Sequence, residues 1–270
     1  MKIDLHSHTT CSDGSLSPQE LVDYAESRNI SMLSITDHDS FAAYSDLRTN
    51  SLELVTGIEF STHWQSIGIH IVGLNIDLQS GILRSAVSVQ QQARESRARD
   101  IAQQLEKRGV INAYEGAKNL AANENIGRPH FAQFLVETGL CKNMEQAFKK
   151  YLGKKKNGNI LKYWAPLPQV ITWIRQAGGI AVLAHPLTYG LTYSRLSRFL
   201  DEFIEYGGQS MEVISGQQEP GQTDRLARLC CEKGLWASCG SDFHRPDQGW
   251  VKLGELATLP ETCDPVWAHF

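Results

Sequence analysis

From the first residue of the chain, short strand-like apolar runs alternate with stretches whose apolar positions recur every three or four residues. That alternation is the mark of a parallel α/β sheet or barrel. Lys2-Ile3-Asp4-Leu5 reads as the first strand, Ile30 to Ile35 as the second, Leu52 to Ile58 as the third and Ile69 to Ile76 as the fourth. Between the first two, Ser17-Pro18-Gln19-Glu20 carries a helix-start signature: a capping Ser, Pro at the first helical position and Glu three residues after the cap. That helix is expected to run to about Arg28.

The pattern changes after Leu78. Gln, Arg, Glu, Ala and Leu dominate as far as Arg108, with the spacing of one long helix, and shorter helical stretches follow at Ala113 to Ala122, His130 to Glu137 and Asn143 to Leu152. Between Asp77 and Tyr163 no stretch reads as a strand, so residues 79–163 form a helical insertion, expected to cap the site; outer helices of the barrel are the alternative. The strand–helix alternation then resumes, with strands at Ile180 to Ala184, Ser210 to Ile214 and Leu235 to Ser238, and helices at Leu167 to Gln176, Ser194 to Tyr206 and Thr223 to Lys233. Residues 1–78 and 164–270 thus make the barrel.

Composition narrows the function little. The chain has 270 residues, 41% hydrophobic and 21% charged, as in an ordinary globular enzyme. A net charge of −4 argues against broad binding to long duplex nucleic acid. No apolar run approaches the roughly 18 residues of a membrane span, and the expectation is a cytoplasmic monomer. Six scattered Cys without a CxxC pair read as reduced thiols.

Most of the nine His residues, with several carboxylates, fall at or just after strand ends, where parallel α/β folds place their sites. In Asp4-Leu5-His6-Ser7-His8 the two His share one strand face, as a metal pair or as polar surface. Asp13 follows in a turn. The second strand ends in Thr36-Asp37-His38-Asp39, three titratable residues that are costly to bury unless paired or bound to a cation. Glu59 ends the third strand behind Gly57. His70 in the fourth is a ligand or a buried core histidine, and His185, Glu212, Asp242 and His244 come later. Together they point to one mixed nitrogen and oxygen metal site.

The motifs DLHSH, TDHD, GIE, IH, AHP and GSDFH, in this order over residues 4 to 244, resemble those of the polymerase and histidinol phosphatase (PHP) family of metal-dependent phosphoesterases. The resemblance implies a distorted (β/α)₇ barrel holding three divalent cations, Mn²⁺ foremost, with Zn²⁺ or Fe²⁺ as alternatives. It assigns His6, His8, Glu59 and Asp242 to a first metal, Asp13, His38 and His244 to a second, and Glu59, His70 and His185 to a third. Asp37 and Asp39 would orient His38.

The insertion with Gly127-Arg128-Pro129-His130 resembles the subgroup acting on nucleoside 3′,5′-bisphosphates and on short 5′-phosphorylated RNA, by attack of a metal-activated hydroxide. Arg128 and His130 would then bind the substrate, with His130 as the acid and Asp37 as a second catalytic-site residue. A surface role at a helix start is the alternative for Arg128 and His130. Arg94, Arg97 and Arg99 read as a solvated helix face, with lining of the same entrance as the alternative, and Lys154 to Lys156 as an exposed loop rather than an RNA track. Histidinol phosphate hydrolysis and a non-catalytic metal-binding module are the rival functions.

Overall fold

The seven strands hydrogen-bond in chain order: β1 (Ile3–Asp4), β2 (Met32–Ile35), β3 (Glu53–Trp64), β4 (Ile67–Leu74), β5 (Ile180–Leu183), β6 (Ser210–Ser215) and β7 (Trp236–Gly240). The computed structural model describes the chain except residues 122–124, 154–159, 217, 248 and 250. The last strand meets the first through Leu5 N–H to Cys239 O at 3.0 Å, and just beyond it Asp242 N–H reaches His6 O at 3.0 Å and His8 N–H reaches Phe243 O at 2.8 Å. The sheet is thereby nearly closed into a barrel. Gly240 permits the approach, since a Cβ there would lie 2.2 Å from the Cβ of His6.

One expectation is corrected. The sheet is not wholly parallel, because β4 runs antiparallel to both β3 and β5. The reason is length: β3 continues past Ile58 to Trp64, and only Gln65 and Ser66 separate it from β4. Two residues make a hairpin but cannot make a crossover. Gln65 takes the left-handed conformation the tight turn requires (φ 54°).

Helix α1 (Pro18–Ser27) begins as its sequence dictates. Ser17 N–H donates to the Glu20 carboxylate at 2.8 Å, and Glu20 N–H donates to Ser17 Oγ at 3.4 Å. The helices α6 (Leu167–Gln176), α7 (Tyr193–Glu205) and α8 (Pro220–Glu232) cover the barrel, whose core joins Phe60, Ile69 and Ile71 to Ile174, Phe199 and Phe203.

Between β4 and α6 lie α2 (Gly81–Glu106), α3 (Ala113–Leu120), α4 (Arg128–Glu137) and α5 (Met144–Ala147), and no strand occurs there among the described residues. These helices bury a core of their own, with Ile101 and Leu105 against Ala113, Ala117, Phe131, Leu135 and Leu152. The N-terminal half of α2 instead joins the barrel core through Leu83, Ala86 and Val87. Ala122 and the Lys154 to Lys156 run lie outside the described residues. No described helix is long and apolar enough to cross a membrane, and none of the six cysteines is in a disulfide.

Candidate active site

One end of the barrel gathers all nine residues that the sequence pointed to as ligands. His6 and His8 follow β1, Asp13 stands in the loop after them, and His38 follows β2. Glu59 on β3 and His70 on β4 meet diagonally across the hairpin, His185 follows β5, and Asp242 and His244 follow β7. Their nitrogen and oxygen atoms converge in four overlapping groups, each within 4.8 Å: His8, Asp13, His38 and His244; His6, Glu59 and His185; His6, His8 and Asp242; His38, Glu59 and His70. The grouping is more shared than the expected three sets, since His6, His8, His38 and Glu59 each belong to two.

Glu59 is the hub. Its Oε1 lies 2.9 Å from His70 Nδ1, 2.9 Å from His185 Nε2 and 3.4 Å from His6 Nε2, while Oε2 lies 2.7 Å from His38 Nδ1 and 3.4 Å from His8 Nε2. Around it the rings of His6, His8, His38, His70 and His185 close a circuit, with successive centroids 5.1, 4.7, 4.9, 5.2 and 5.6 Å apart. His244 stacks on His8 at 4.3 Å. His185 (φ 29°) and Asp242 (φ 56°) are held in backbone conformations that side chains other than glycine rarely adopt, which concentrates strain at this site.

Burial drives the electrostatics. It pushes the His8 imidazole down to about 3, helped by the neighbouring His244 and His38. For His244 burial is outweighed by the Asp13 and Asp242 carboxylates, which push it up to about 10. Glu59 is held well below the usual carboxylate range, because His70, His38 and His6 overcome its burial. Asp13 and Asp242 are lowered in the same way, by His244 and His38 and by His6 and His244 respectively.

This donor set suits divalent cations. Imidazole and carboxylate ligands are what borderline metals such as Mn²⁺, Zn²⁺ and Fe²⁺ take. The buried atoms Asp13 Oδ1, His38 Nδ1 and Glu59 Oε2 complete no directional hydrogen bond; the 2.7 Å contact between the last two is off the donor axis. His6 Nε2 and His8 Nε2 face each other at 3.1 Å. Electron-rich atoms so crowded and so buried are stabilised by a cation among them.

The outer carboxylates are engaged elsewhere. Asp37 accepts hydrogen bonds from Thr9 N–H at 2.8 Å and from the Thr9 and Ser12 hydroxyls at 2.5 Å each, so its oxygens hold the loop between His8 and Asp13. Asp39 turns away from the cluster to Ser61 N–H, Gln90 and Arg94.

Beside the cluster opens a cavity of about 720 Å³. Asp13, His38, His70 and His185 line one part of it, and Arg94, Arg97, Arg128, Phe148 and Trp164 another. The reading of the α2 arginines as a solvated face is corrected for two of them: Arg94 and Arg97 are buried and only Arg99 is exposed. Gln90, Arg94 and Arg97 recur at helical spacing on the face of α2 turned to the barrel. Arg94 is neutralised by Asp39, whereas the buried Nε of Arg97 has no hydrogen-bond partner. Both guanidinium groups lie over Trp164, at 5.2 and 5.0 Å, and Arg128 lies over Phe148 at 6.0 Å. Burial and the charges of Arg128 and Arg94 hold Arg97 well below the ordinary arginine range. His130 is buried at the start of α4, where its Nδ1 accepts the Gly127 N–H at 2.9 Å. The remaining proton is therefore on Nε2 of the neutral ring, and burial lowers its pKa.

The sequence placed Glu212 among the strand-end residues of the mixed metal site without giving it a specific task, and the burial of Arg94 and Arg97 went against their reading as a solvated face. The apolar strand around Glu212 was the signal for the first. For the second the signal was helical register, since Arg94 and Arg97 fall on the same face of α2 as Leu83, Val87, Ile101 and Leu105.

The sequence profile of the PHP domain matches residues 4–159. A 5′-3′ exoribonuclease of Haemophilus influenzae is 42% identical to this chain, over 100% of it and 99% of the relative. A 3′,5′-nucleoside bisphosphate phosphatase of Chromobacterium violaceum is 37% identical, over 98% of this chain and 95% of the relative. A solved structure of an amidohydrolase from Chromobacterium violaceum, with bound sulfate and no metal, superposes with a TM-score of 0.91 at 35% identity, covering 100% of this chain and 95% of that one.

Proposed function

This chain belongs to the PHP domain family, and on that premise we propose that it hydrolyses the 3′-phosphate ester of nucleoside 3′,5′-bisphosphates and trims short 5′-phosphorylated RNA from its 5′ end. One observation carries the choice of substrate. The cavity has two places for an anion, the His/Asp/Glu cluster and the Arg97–Arg128 pair, with apolar Phe148 and Trp164 at the second. A bisphosphate nucleoside and the first nucleotide of a 5′-phosphorylated RNA share that shape: two phosphates flanking one nucleoside. Histidinol phosphate has a single phosphate and would leave the arginine pair without a partner.

In this reading His6, His8, Asp13, His38, Glu59, His70, His185, Asp242 and His244 hold three divalent cations, Mn²⁺ in the first place, with Glu59 shared. Divalent cations held there supply charge neutralisation at the phosphoryl oxygens and water activation near neutral pH. The chain's own residues do the rest. Arg97 and Arg128 bind the 5′-phosphate and so hold the 3′-phosphorus over the cluster; positioning of this kind is a large share of phosphoryl-transfer catalysis. Phe148 and Trp164 exclude water and offer the base an apolar wall. His130 donates a hydrogen bond from Nε2 to a phosphoryl oxygen, a role that its lowered pKa favours over release of a proton. Asp37 keeps His8 and Asp13 in place by fixing their loop. Residues 79–163 act as the cap that brings Arg97, Arg128 and His130 over the barrel.

With Mn²⁺, the purified protein is expected to release inorganic phosphate from adenosine 3′,5′-bisphosphate and to shorten a 5′-phosphorylated oligoribonucleotide. Failure on both, alongside turnover of histidinol phosphate, would overturn the assignment.

A further inference from the structure

Glu212 is a carboxylate that touches the cluster from behind, at His6 and at the main chain of His185. It lies on β6, wholly buried, at a register shift where the β6–β7 pairing slips between Glu212 and Ile214. Its Oε1 is 2.6 Å from His6 Nδ1. Its Oε2 accepts the main-chain N–H of His185 at 2.7 Å and the Ser215 hydroxyl at 2.7 Å. Neither oxygen is free to reach a substrate, so any role in the reaction is exerted through His6 and His185.

We propose that Glu212 is the positioning residue of the cluster, fixing the proton of His6 on Nδ1 and clamping the main chain of His185. With Nδ1–H committed to Oε1, Nε2 is the nitrogen left to bind, and it faces Glu59 Oε1 and Asp242 Oδ1 at 3.4 Å each. The second oxygen acts on backbone rather than on a ring. His185 has φ of 29°, a conformation that needs an outside contact to persist, and the bond to its N–H supplies one. From that backbone the ring reaches Glu59 Oε1 through Nε2 at 2.9 Å, with Nδ1 held by Thr188 Oγ1 at 2.9 Å. One buried side chain therefore orients two members of the group formed by His6, Glu59 and His185.

A carboxylate is required for both tasks at once. It offers acceptors in both directions, and the site presents donors in both: an imidazole N–H on one side, an amide N–H and a hydroxyl on the other. Glutamine at this place has a single acceptor oxygen. Turned toward His185 and Ser215, it points its NH₂ at His6 Nδ1, which must then become the acceptor and shift its proton to Nε2, the nitrogen the cluster needs.

This inference rests on the metal-binding reading of the cluster, and the test separates the two. Zn²⁺, a diamagnetic probe, is titrated into metal-stripped wild type and E212Q, each shown to be folded by circular dichroism, and the His6 ring protons are followed by ¹H–¹⁵N NMR. The wild type is expected to bind Zn²⁺ and to show a slowly exchanging, downfield Nδ1–H on His6. E212Q is expected to lose that resonance and to bind Zn²⁺ about 10- to 100-fold more weakly. Wild-type affinity in E212Q, or a His6 that keeps its Nδ1–H resonance there, overturns the role of Glu212. Should E212Q not fold, the wild-type spectrum alone decides, because a Zn²⁺-loaded His6 without a proton on Nδ1 contradicts the proposal. Absence of Zn²⁺ binding by the wild type would instead refute the reading of the cluster itself.

Discussion

Arg94 reaches from the insertion helix α2 to Asp39 in the barrel, with Nε and Nη2 at 2.7 and 2.6 Å from the same carboxylate oxygen, Oδ2. Asp39 directly follows His38, and its other oxygen accepts Ser61 N–H and Gln90. The pair thus joins the cap to two strands of the cluster in a place without solvent. Removing one partner of such a pair leaves an uncompensated buried charge, at a cost of about 3–5 kcal/mol. Arg94→Ala is expected to lower the melting temperature by about 10 °C, a figure that follows from that cost in a chain of this size. Arg99→Ala, which breaks only the exposed pair with Glu95, should cost about 1 kcal/mol or less. Equal melting temperatures for the two variants would refute the latch.

Arg97 stands three residues further along the same helix and has the opposite standing. Its guanidinium is buried with an unpartnered Nε, between Arg128 and Arg94, so it burdens the fold while suiting an anion. Loss of one charge-assisted hydrogen bond is worth about 1.5–3 kcal/mol. Arg97→Ala should therefore lower kcat/KM for adenosine 3′,5′-bisphosphate by about 10- to 100-fold, with kcat falling as well as KM rising because the 3′-phosphorus is no longer held in place. Adenosine 3′-monophosphate, which lacks the 5′-phosphate, should be turned over as by the wild type, and the melting temperature should not fall. Steady-state kinetics on the two substrates decide: an equal loss on both would remove Arg97 from 5′-phosphate binding.

The contrast between these two arginines also marks where the sequence was legible. Strand ends and the HxH and DxH pairs could be read because strand geometry puts alternate residues on one face, and the parallel strands of a barrel bring their C-terminal ends to one rim. The structure accordingly gathers the nine candidate ligands. Residues 94, 97 and 99 differ only in which side of α2 they take, and that depends on how the insertion docks. The apolar stripe of α2 runs through Leu83, Val87, Ile101 and Leu105, but Gln90, Arg94 and Arg97 occupy its middle, and polar residues there read as a solvated stretch rather than a docked one. The antiparallel β4 was hidden for a related reason. His63 and Trp64 extend β3 beyond the apolar run that marked it, so the hairpin of Gln65 and Ser66 fell in a segment read as a connection.

His244 and His8 stack at 4.3 Å yet differ in proton affinity, and this sets a direction for the pH dependence of metal binding. His8 is pushed down to about 3 and is neutral near pH 7, ready to donate a lone pair. His244 is pushed up to about 10 by Asp13 and Asp242 against its burial, so in the metal-free protein it carries a proton that a cation must displace. The sign follows. Because its folded value lies above the unfolded 6.5, the protonated His244 stabilises the metal-free fold below about pH 6.5, and that contribution is lost as the pH rises through about 10. Metal binding runs the other way, since each unit by which the pH rises toward about 10 removes competing proton and strengthens binding by up to about tenfold. Mn²⁺ should therefore raise the melting temperature more at pH 8.5 than at pH 6.5. Calorimetry in two buffers of different ionisation enthalpy should find protons released per cation bound in the group of His8, Asp13, His38 and His244, from His244 and also from His38, whose affinity for a proton is raised against its burial by Glu59 and Asp13. A stabilisation by Mn²⁺ that is equal or smaller at the higher pH, with no proton released, would mean that His244 is not displaced by the ion and lies outside its coordination.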